Sequence, residues 1–301
     1  MKGPILIPLD GSEFSEAALP WALEVSRRLG VGLDVVSVAE PIPTLDDADW
    51  NFEAERWVNE YVDHIVDECS GKAGGEVSGA GVSGYPLDRI LRRADTVGAS
   101  VLVAATHGRG PIARAWLGSV ADGLLRTAPI PVLLVRPAEI EGDAIAPDPG
   151  VAQILVPIDG SADSEAALEL AATWAHAFDA KLHVLHVVMD PNEIALRYLP
   201  RTPELARIGV DEATARAKQD LRGIVADLSD SGLDVAAHVT GDAHGPRAIL
   251  RTAQSVGADL LVMATHGRGG IQRALLGSVT DKVVRSADIP VLVTHIPDAS
   301  S

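Results

Sequence analysis

The chain has 301 residues, 47% apolar and 22% charged, enough for two buried cores of roughly 150 residues each. Its 42 Asp+Glu outweigh 25 Lys+Arg, and a net charge of −17 repels nucleic-acid backbone and anionic membrane, which excludes both as partners. The single cysteine, Cys69, excludes an intrachain disulfide, and with no basic-then-apolar leader and no apolar run near ~18 residues the expectation is a soluble cytoplasmic protein.

The predicted elements begin with the apolar run Pro4–Leu9, ended by Asp10-Gly11-Ser12. A helix follows, with Ala18, Ala22, Val25 and Leu29 at helical spacing and Gly30 as its stop. A second copy starts at Ile154–Ile158 and Asp159-Gly160-Ser161, with Ala167, Ala171, Trp174 and Phe178 at the matching helical places. Ser12 and Ser161 are expected N-caps. Strands Leu33–Ala39 and Lys181–Val188 come next, each running into a proline (Pro41; Pro191).

Longer, more polar helices are expected over Asp47–Cys69 and Pro203–Ser231, then weak strands over Glu76–Ser83 and Asp234–Thr240. Short helices Leu87–Val97 and Pro246–Val256 lead into the buried strands Val101–Ala105 and Leu260–Ala264. Each half therefore reads β-α-β-α-β-α-β-α-β, the pattern of a parallel sheet covered on both faces. Between the halves, Arg136–Gly150 is rich in prolines, acids and glycines and reads as an exposed linker.

The strongest repeat is Ala104–Val135, which returns at Met263–Thr294 with 20 of 32 positions identical. Each copy reads as strand, THGRG turn, helix and closing strand, Val132–Val135 or Val291–Thr294. Nine residues separate Gly108 from Gly118, Ser119 opens the helix, and Gly267, Gly277 and Ser278 repeat that spacing. Turn glycines followed by Gly-Ser at a helix start offer free backbone N–H groups, a hydroxyl and a positive helix end. That is an anion cradle, and phosphate suits it. If strand one neighbours strand four, Pro8-Leu9-Asp10 and Thr106–Gly110 face one crevice, as do Pro157-Ile158-Asp159 and Thr265–Gly269, where doubly wound sheets bind ligands.

These residues together resemble the universal stress protein family in its tandem two-domain form. The resemblance rests on LIPLDGS and LVPIDGS, the THGRG turns, the nine-residue spacing to Leu-Gly-Ser-Val, and the closing Ile-Pro-Val-Leu. It implies an α/β fold: two tandem doubly wound parallel five-stranded sheets, Rossmann-like and of the adenine nucleotide alpha hydrolase type. The corresponding division is residues 1–137 and 151–301 as domains, with 138–150 as linker. The family's nucleotide motif is Gly, two residues, Gly, nine residues, Gly, then Ser or Thr. Carried over, phosphate contacts fall on Gly108, Gly118, Ser119 and Val120, and on Gly267, Gly277, Ser278 and Val279. Asp10 and Asp159 become the acids after strand one, flanked by Pro8 and Leu9 or Pro157 and Ile158, while Val38 and Val187 contact adenine through their backbone. The motif's first glycine is replaced by Ala105 in one half and Ala264 in the other. The cofactor implied is ATP, with Mg²⁺ as an accompanying ion for which the sequence shows no dedicated cage.

Several residues carry two readings. Asp10 and Asp159 contact a nucleotide or order their own Asp-Gly-Ser turn. His107 and His266 are read as turn-ordering or ligand-lining, since no further metal ligands stand at close spacing. The other histidines, including His176, His183 and His186, show no partner pattern and read as structural. Arg109, Arg114, Arg268 and Arg273 recur at identical offsets and either screen phosphates or flank helices on a solvated face. No P-loop and no nucleophile elbow is present.

The expected function is binding of adenine nucleotide as a stress-response sensor or regulatory module acting on an unidentified regulatory protein partner. The alternatives are a slow ATP hydrolase and a nucleotide-free interaction scaffold. The closing strands fall at sheet edges, and family members pair these edges between subunits. The two halves are therefore expected to pair within one chain as a pseudo-dimer, which can associate further as a homodimer.

Overall fold

Short apolar runs alternate with amphipathic stretches, and in the computed structural model the runs are parallel strands joined by helices. The structure describes residues 2–40, 48–106, 117–140, 143–145, 149–188, 203–242, 244–265 and 276–294. They form two units, Met1–Pro149 and Gly150–Ser301.

Unit one comprises β1 (Ile5–Leu9), α1 (Glu13–Glu16), α2 (Leu19–Leu29), β2 (Leu33–Ala39), α3 (Ala48–Cys69), β3 (Val77–Ser83), α4 (Pro86–Val97), β4 (Val101–Ala105), α5 (Ser119–Thr127) and β5 (Val132–Val135). Its sheet is parallel, in the order β5-β4-β1-β2-β3. Two short strands follow, β6 (Ala138–Ile140) and β7 (Asp143–Ile145). Unit two then runs β8 (Gln153–Ile158), α6 (Ala162–Phe178), β9 (Lys181–Val188), α7 (Pro203–Asp230), β10 (Val235–Gly241), α8 (Gly245–Val256), β11 (Leu260–Ala264), α9 (Ser278–Ser286) and β12 (Val291–Thr294). Its parallel order, β10-β9-β8-β11-β12, is the same topology. Registers match too: Ile5 faces Leu33 as Ile154 faces Leu182. Each unit is thus a doubly wound α/β sheet of five strands, as the alternation of elements requires. Right-handed crossovers put the first two connections on one face and the last two on the other.

The structure differs locally from the sequence expectation in two places. In unit one the first helix is broken between α1 and α2, whereas α6 is continuous. Pro20 stands in the first turn of α2, where its missing N–H and its ring block the bond back to Glu16. Glu169 occupies that place in unit two and imposes no break. The second difference is the linker. Ala138–Ile145 is not featureless: β6 and β7 pair antiparallel, with Ala138 opposite Ile145 and Ile140 opposite Asp143. The two residues between these strands, Glu141 and Gly142, lie outside the described residues.

The outer edge of unit one is covered closely by α3. A Cβ built at Gly79 would lie 2.4 Å from Val62 Cγ1, and one at Gly81 would lie 2.6 Å from the Asn59 backbone nitrogen. The Gly81 N–H donates to Asn59 Oδ1 at 3.1 Å, so the helix satisfies an edge amide that would otherwise offer itself to another strand. Gly81→Val is expected to push α3 off β3 and cost about 1–3 kcal/mol, read as a lower urea midpoint for unit one. An unchanged midpoint would show that α3 rides on the edge without being held there.

Deeper in the same layer, Asp34 on β2 is fully buried. Arg93 on α4 grips it with two hydrogen bonds, 2.8 Å to Oδ1 and 2.6 Å to Oδ2, and Ser78 Oγ on β3 donates to Oδ2 at 2.7 Å. The bond to Asp34 raises the Arg93 pKa above its usual range. One carboxylate therefore ties two strands and a helix together.

Candidate functional site

The crevice of each unit forms because strand order reverses between its first and fourth strands. β1 and β4 pair only at Ile5–Val101 and Leu6–Leu102, and β8 and β11 only at Ile154–Leu260 and Leu155–Leu261. Beyond those rungs the ladders stop, and the proline that follows explains it. The Ile5 N–H donates to Gly32 O on the β2 side, so alternation turns position 8 toward β4. Pro8 has no N–H to donate there, and Pro157 repeats the arrangement in unit two. The two strand ends are thus free to part where a ligand would enter.

On one lip of the crevice stand Asp10 and Asp159. Asp10 Oδ1 accepts from the Ser12 N–H at 3.0 Å and from Ser12 Oγ at 2.5 Å. Asp159 Oδ1 accepts from the Ser161 N–H at 3.0 Å and from Ser161 Oγ at 2.6 Å. Each serine in turn caps its helix, accepting from Ser15 N or Ser164 N at 3.2 Å. Gly11 and Gly160, with φ of 76° and 74°, supply the left-handed residue of the turn. The turn-ordering role of both aspartates is therefore realised. It also fixes one carboxylate oxygen of each at a strand end, half-buried beside the crevice.

On the other lip, β4 ends at Ala105 and β11 at Ala264. Both alanines are ordinary strand residues, in register with Val135 and Thr294. Among the described residues the one non-glycine with positive φ is Asp179, so neither alanine stands where only glycine fits. Buried Thr106 and Thr265 follow, and their carbonyls accept from Gly118 N at 2.8 Å and Gly277 N at 2.7 Å. These tethers bring each helix start back to its strand end. They also commit the glycine amides, so the donors left to the cradle from this segment begin at Ser119 and Val120, or Ser278 and Val279.

The helix starts themselves are the most informative feature. α5 and α9 have glycine N-caps, Gly118 and Gly277, which bring no side-chain acceptor, unlike the serine caps of α1 and α6. Their first turns leave N–H groups ahead of the first helical bond, made by Asp122 to Gly118 O and by Asp281 to Gly277 O. Ser119 and Ser278 are exposed, as is Val279 at 40%. Gly118 (φ −58°, ψ 151°) and Gly277 (φ −56°, ψ 142°) adopt backbone that any residue can take. A glycine is not required there by conformation; it brings no side chain of its own beside the amides of the first turn. The acid in each first turn is held away by its own arginine: Asp122 by Arg126 at 2.7 Å and Asp281 by Arg285 at 3.0 Å. In unit two, Thr280 Oγ1 also donates to Ala264 O at 2.7 Å, a fastening that Ala121 cannot provide in unit one.

Val38 and Val187 lie half-buried near the ends of β2 and β9, in register with Val82 and Thr240. The six turn residues His107, Gly108, Arg109, His266, Gly267 and Arg268 lie outside the described residues, as do Arg114 and Arg273. The threonine tethers were not singled out from sequence, although Thr106 and Thr265 are repeated in both THGRG copies and could have been.

Two tandem, doubly wound units, each with a glycine-capped helix start after its fourth strand, define the class of fold as a duplicated Rossmann-like α/β domain. The universal stress protein family model matches residues 1–136 and 151–295, and the chain belongs to that family. A universal stress protein of Mycobacterium tuberculosis is 32% identical, over 97% of this chain and 95% of the relative. One of Mycolicibacterium smegmatis is 29% identical, over 97% and 96%. Among solved structures, a universal stress protein from Archaeoglobus fulgidus covers 98% of this chain and 97% of its own with a TM-score of 0.72, at 21% identity, and shares the fold. Among the described residues no helix is long and apolar enough to cross a membrane.

Proposed function

We propose that each unit binds an adenine nucleotide, ATP, at its β1–β4 or β8–β11 crevice, and that the protein serves as a cytoplasmic stress-response sensor or regulatory module. The observation that carries this reading is the pair of glycine-capped helix starts, Gly118-Ser119 and Gly277-Ser278, whose first-turn amides lack the serine cap present elsewhere in each unit. A phosphate would supply the missing acceptor and meet the positive end of the helix dipole. The donor set fits such a group: amide N–H and serine hydroxyl, with the nearby Asp122 and Asp281 already paired to arginine. The chain's own part is to bind and orient the anion; occupancy then biases the surface presented to a regulatory partner. Mass analysis of small molecules released on denaturing the purified protein tests this, with adenine nucleotide expected and its absence, together with no ATP uptake on titration, counting against it.

The two sites are expected to be unequal, unit two binding more tightly. Thr280 fastens its helix start to Ala264, which lowers the ordering cost of the cradle. Sequence differences point the same way: Pro111 stands in one turn where Gly270 stands in the other, and Trp116 where Leu275 does, all outside the described residues. A proline lacks the amide that would donate there, worth about 1.5–3 kcal/mol if it reaches a phosphate. Single-site proteins titrated with ATP should differ by about tenfold or more, and Pro111→Gly should narrow the gap. Equal affinities would show that both differences face solvent.

A further inference from the structure

Unit two fills the place of the Asp34–Arg93 ion pair with different chemistry. His183 holds on β9 the rung that Asp34 holds on β2. Thr252, five residues before the C-cap Gly257 as Arg93 is before Gly98, donates its hydroxyl to Ala248 O. The partner of His183 is instead another histidine. His183 Nδ1 lies 2.9 Å from His238 Nε2 on β10, and His183 Nε2 lies 2.7 Å from Gln153 Oε1 on β8. His183 is 6% exposed, and the ring centroids are 5.1 Å apart. The sequence reading of His183 as a histidine without a partner pattern is corrected here: its partner lies 55 residues away.

The geometry limits the proton count: one hydrogen fits between the facing nitrogens, so at least one of the two rings must be neutral, and a single added proton leaves both hydrogen bonds in place. With Gln153 Oε1 as acceptor, His183 carries its proton on Nε2 and accepts at Nδ1 from the Nε2–H of His238. Turning the amide over reverses both bonds and still leaves both rings neutral. One hydrogen serves the space between the rings; with both rings protonated, two N–H groups would oppose each other across it and the bond would be lost.

Among the described residues no carboxylate is hydrogen-bonded to either ring, and Asp234 opposes the lowering of the His183 pKa without reversing it. On the same strands and face, Lys181 and Asp234 are paired with each other at 3.1 Å. Asp259 accepts from the Ala152 and Gln153 amides at 2.8 and 2.9 Å. α8 covers this face and carries two charged side chains, Arg247 and Arg251, both turned to Asp242. α6 and α7 lie on the opposite face.

We propose that the His183–His238 pair is an acid-released latch, which ties edge strand β10 to β9 while at least one ring is neutral and parts when both are protonated. Unit one has an Asp–Arg pair at the matching place and no histidine there, so mild acid acts on one unit and spares the other. The released feature is a strand edge, which exposes unpaired backbone groups to a new partner.

Burial lowers the pKa of both histidines, with His238 and Lys181 adding to the effect on His183, Asp234 working against it, and Lys181 adding to that on His238. Once β10 opens, the rings return to their usual value near ~6.5 and bind more protons than when closed. The latch is therefore at full strength above that value and weakens as pH falls below it, by about tenfold in opening constant per pH unit for the one ring that must stay neutral.

Hydrogen exchange on the intact chain at pH 7.5 and pH 5.5, corrected for the intrinsic rate, tests the proposal within one molecule. Protection of the Val235–Gly241 amides is expected to fall by about tenfold or more, while the Val77–Ser83 amides change by less than about twofold. His238→Gln keeps a side chain able to hydrogen-bond His183 and should remove at least half of the pH effect on a logarithmic scale. Equal loss in the two strands, or an undiminished pH effect in His238→Gln, overturns the latch. Should that variant fail to fold, the imidazole nitrogen shifts of the unsubstituted chain decide. Two neutral rings at pH 6.5 support the latch, and two half-protonated rings at that pH refute it.

Discussion

Arg93→Ala is expected to lower the stability of unit one by about 3–5 kcal/mol, the largest effect of any single side chain considered. Asp34 is fully buried, and Arg93 supplies two of the three hydrogen bonds described at its oxygens. Removing the guanidinium leaves a carboxylate in the core with the Ser78 hydroxyl as its remaining described donor. The cost is mostly that uncompensated charge, not the intrinsic worth of the pair. Asp34→Leu combined with Arg93→Met should therefore be far milder than Arg93→Ala alone, close to neutral if the apolar pair packs well. Urea unfolding followed by probes in each unit separates the local effect from the rest, since two-state behaviour of the whole chain is not assumed. A loss below about 1 kcal/mol would mean that solvent screens the pair, with Arg93, whose side chain is 23% exposed, holding Asp34 only loosely.

Ser278→Asp is expected to weaken ATP binding at unit two by about 100-fold or more while leaving the fold intact. An aspartate at the first helical position complements the helix dipole, so α9 should be no less stable. The same carboxylate would stand where the phosphate must sit, replacing attraction with repulsion and removing the serine hydroxyl as a donor. Loss of one charge-assisted bond is about 1.5–3 kcal/mol, and the repulsion adds to it. The measurement is calorimetric titration of Ser278→Asp in a Ser119→Asp background against Ser119→Asp alone. Unchanged affinity would remove the helix start from the binding account. A variant at Gly277 is a poorer test, because the Gly277 N–H tethers the helix to Thr265 and a side chain there would disturb that tie as well.

Much of the fold was legible because the chain repeats itself: the same order of apolar runs and turns, read twice, specifies one topology for both units. Strand ends and helix stops carried their own chemistry, as at Asp10-Gly11-Ser12 and Gly30. Local departures were also written in the sequence but easy to pass over. Pro20 breaks a helix that its apolar spacing alone makes continuous, and the short runs Ala138–Ile140 and Asp143–Ile145 pair as strands within the linker. What sequence reasoning missed was long-range polar pairing. Asp34 lies within the apolar run Leu33–Ala39, and Arg93, which makes its burial tolerable, stands 59 residues later. His183 and His238 sit on neighbouring strands and meet only because Ala236 and His183 share a rung. No periodicity predicts such partners; strand register does. The candidate site was legible as a spacing, Gly-Ser at each helix start, but not as a division of labour. The glycine amides hold the helix in place, so they are already committed to Thr106 and Thr265.

The central claim is that both crevices take a nucleotide through their helix starts, and stoichiometry tests it most directly. Titration of the intact chain with ATP, after removal of any nucleotide that accompanies purification, should saturate at two equivalents per chain, the first bound more tightly than the second. In Ser119→Asp combined with Ser278→Asp, uptake should vanish while the far-ultraviolet dichroism is unchanged. Saturation by the unsubstituted chain that persists undiminished in the double variant would contradict the account, as would no uptake by the unsubstituted chain.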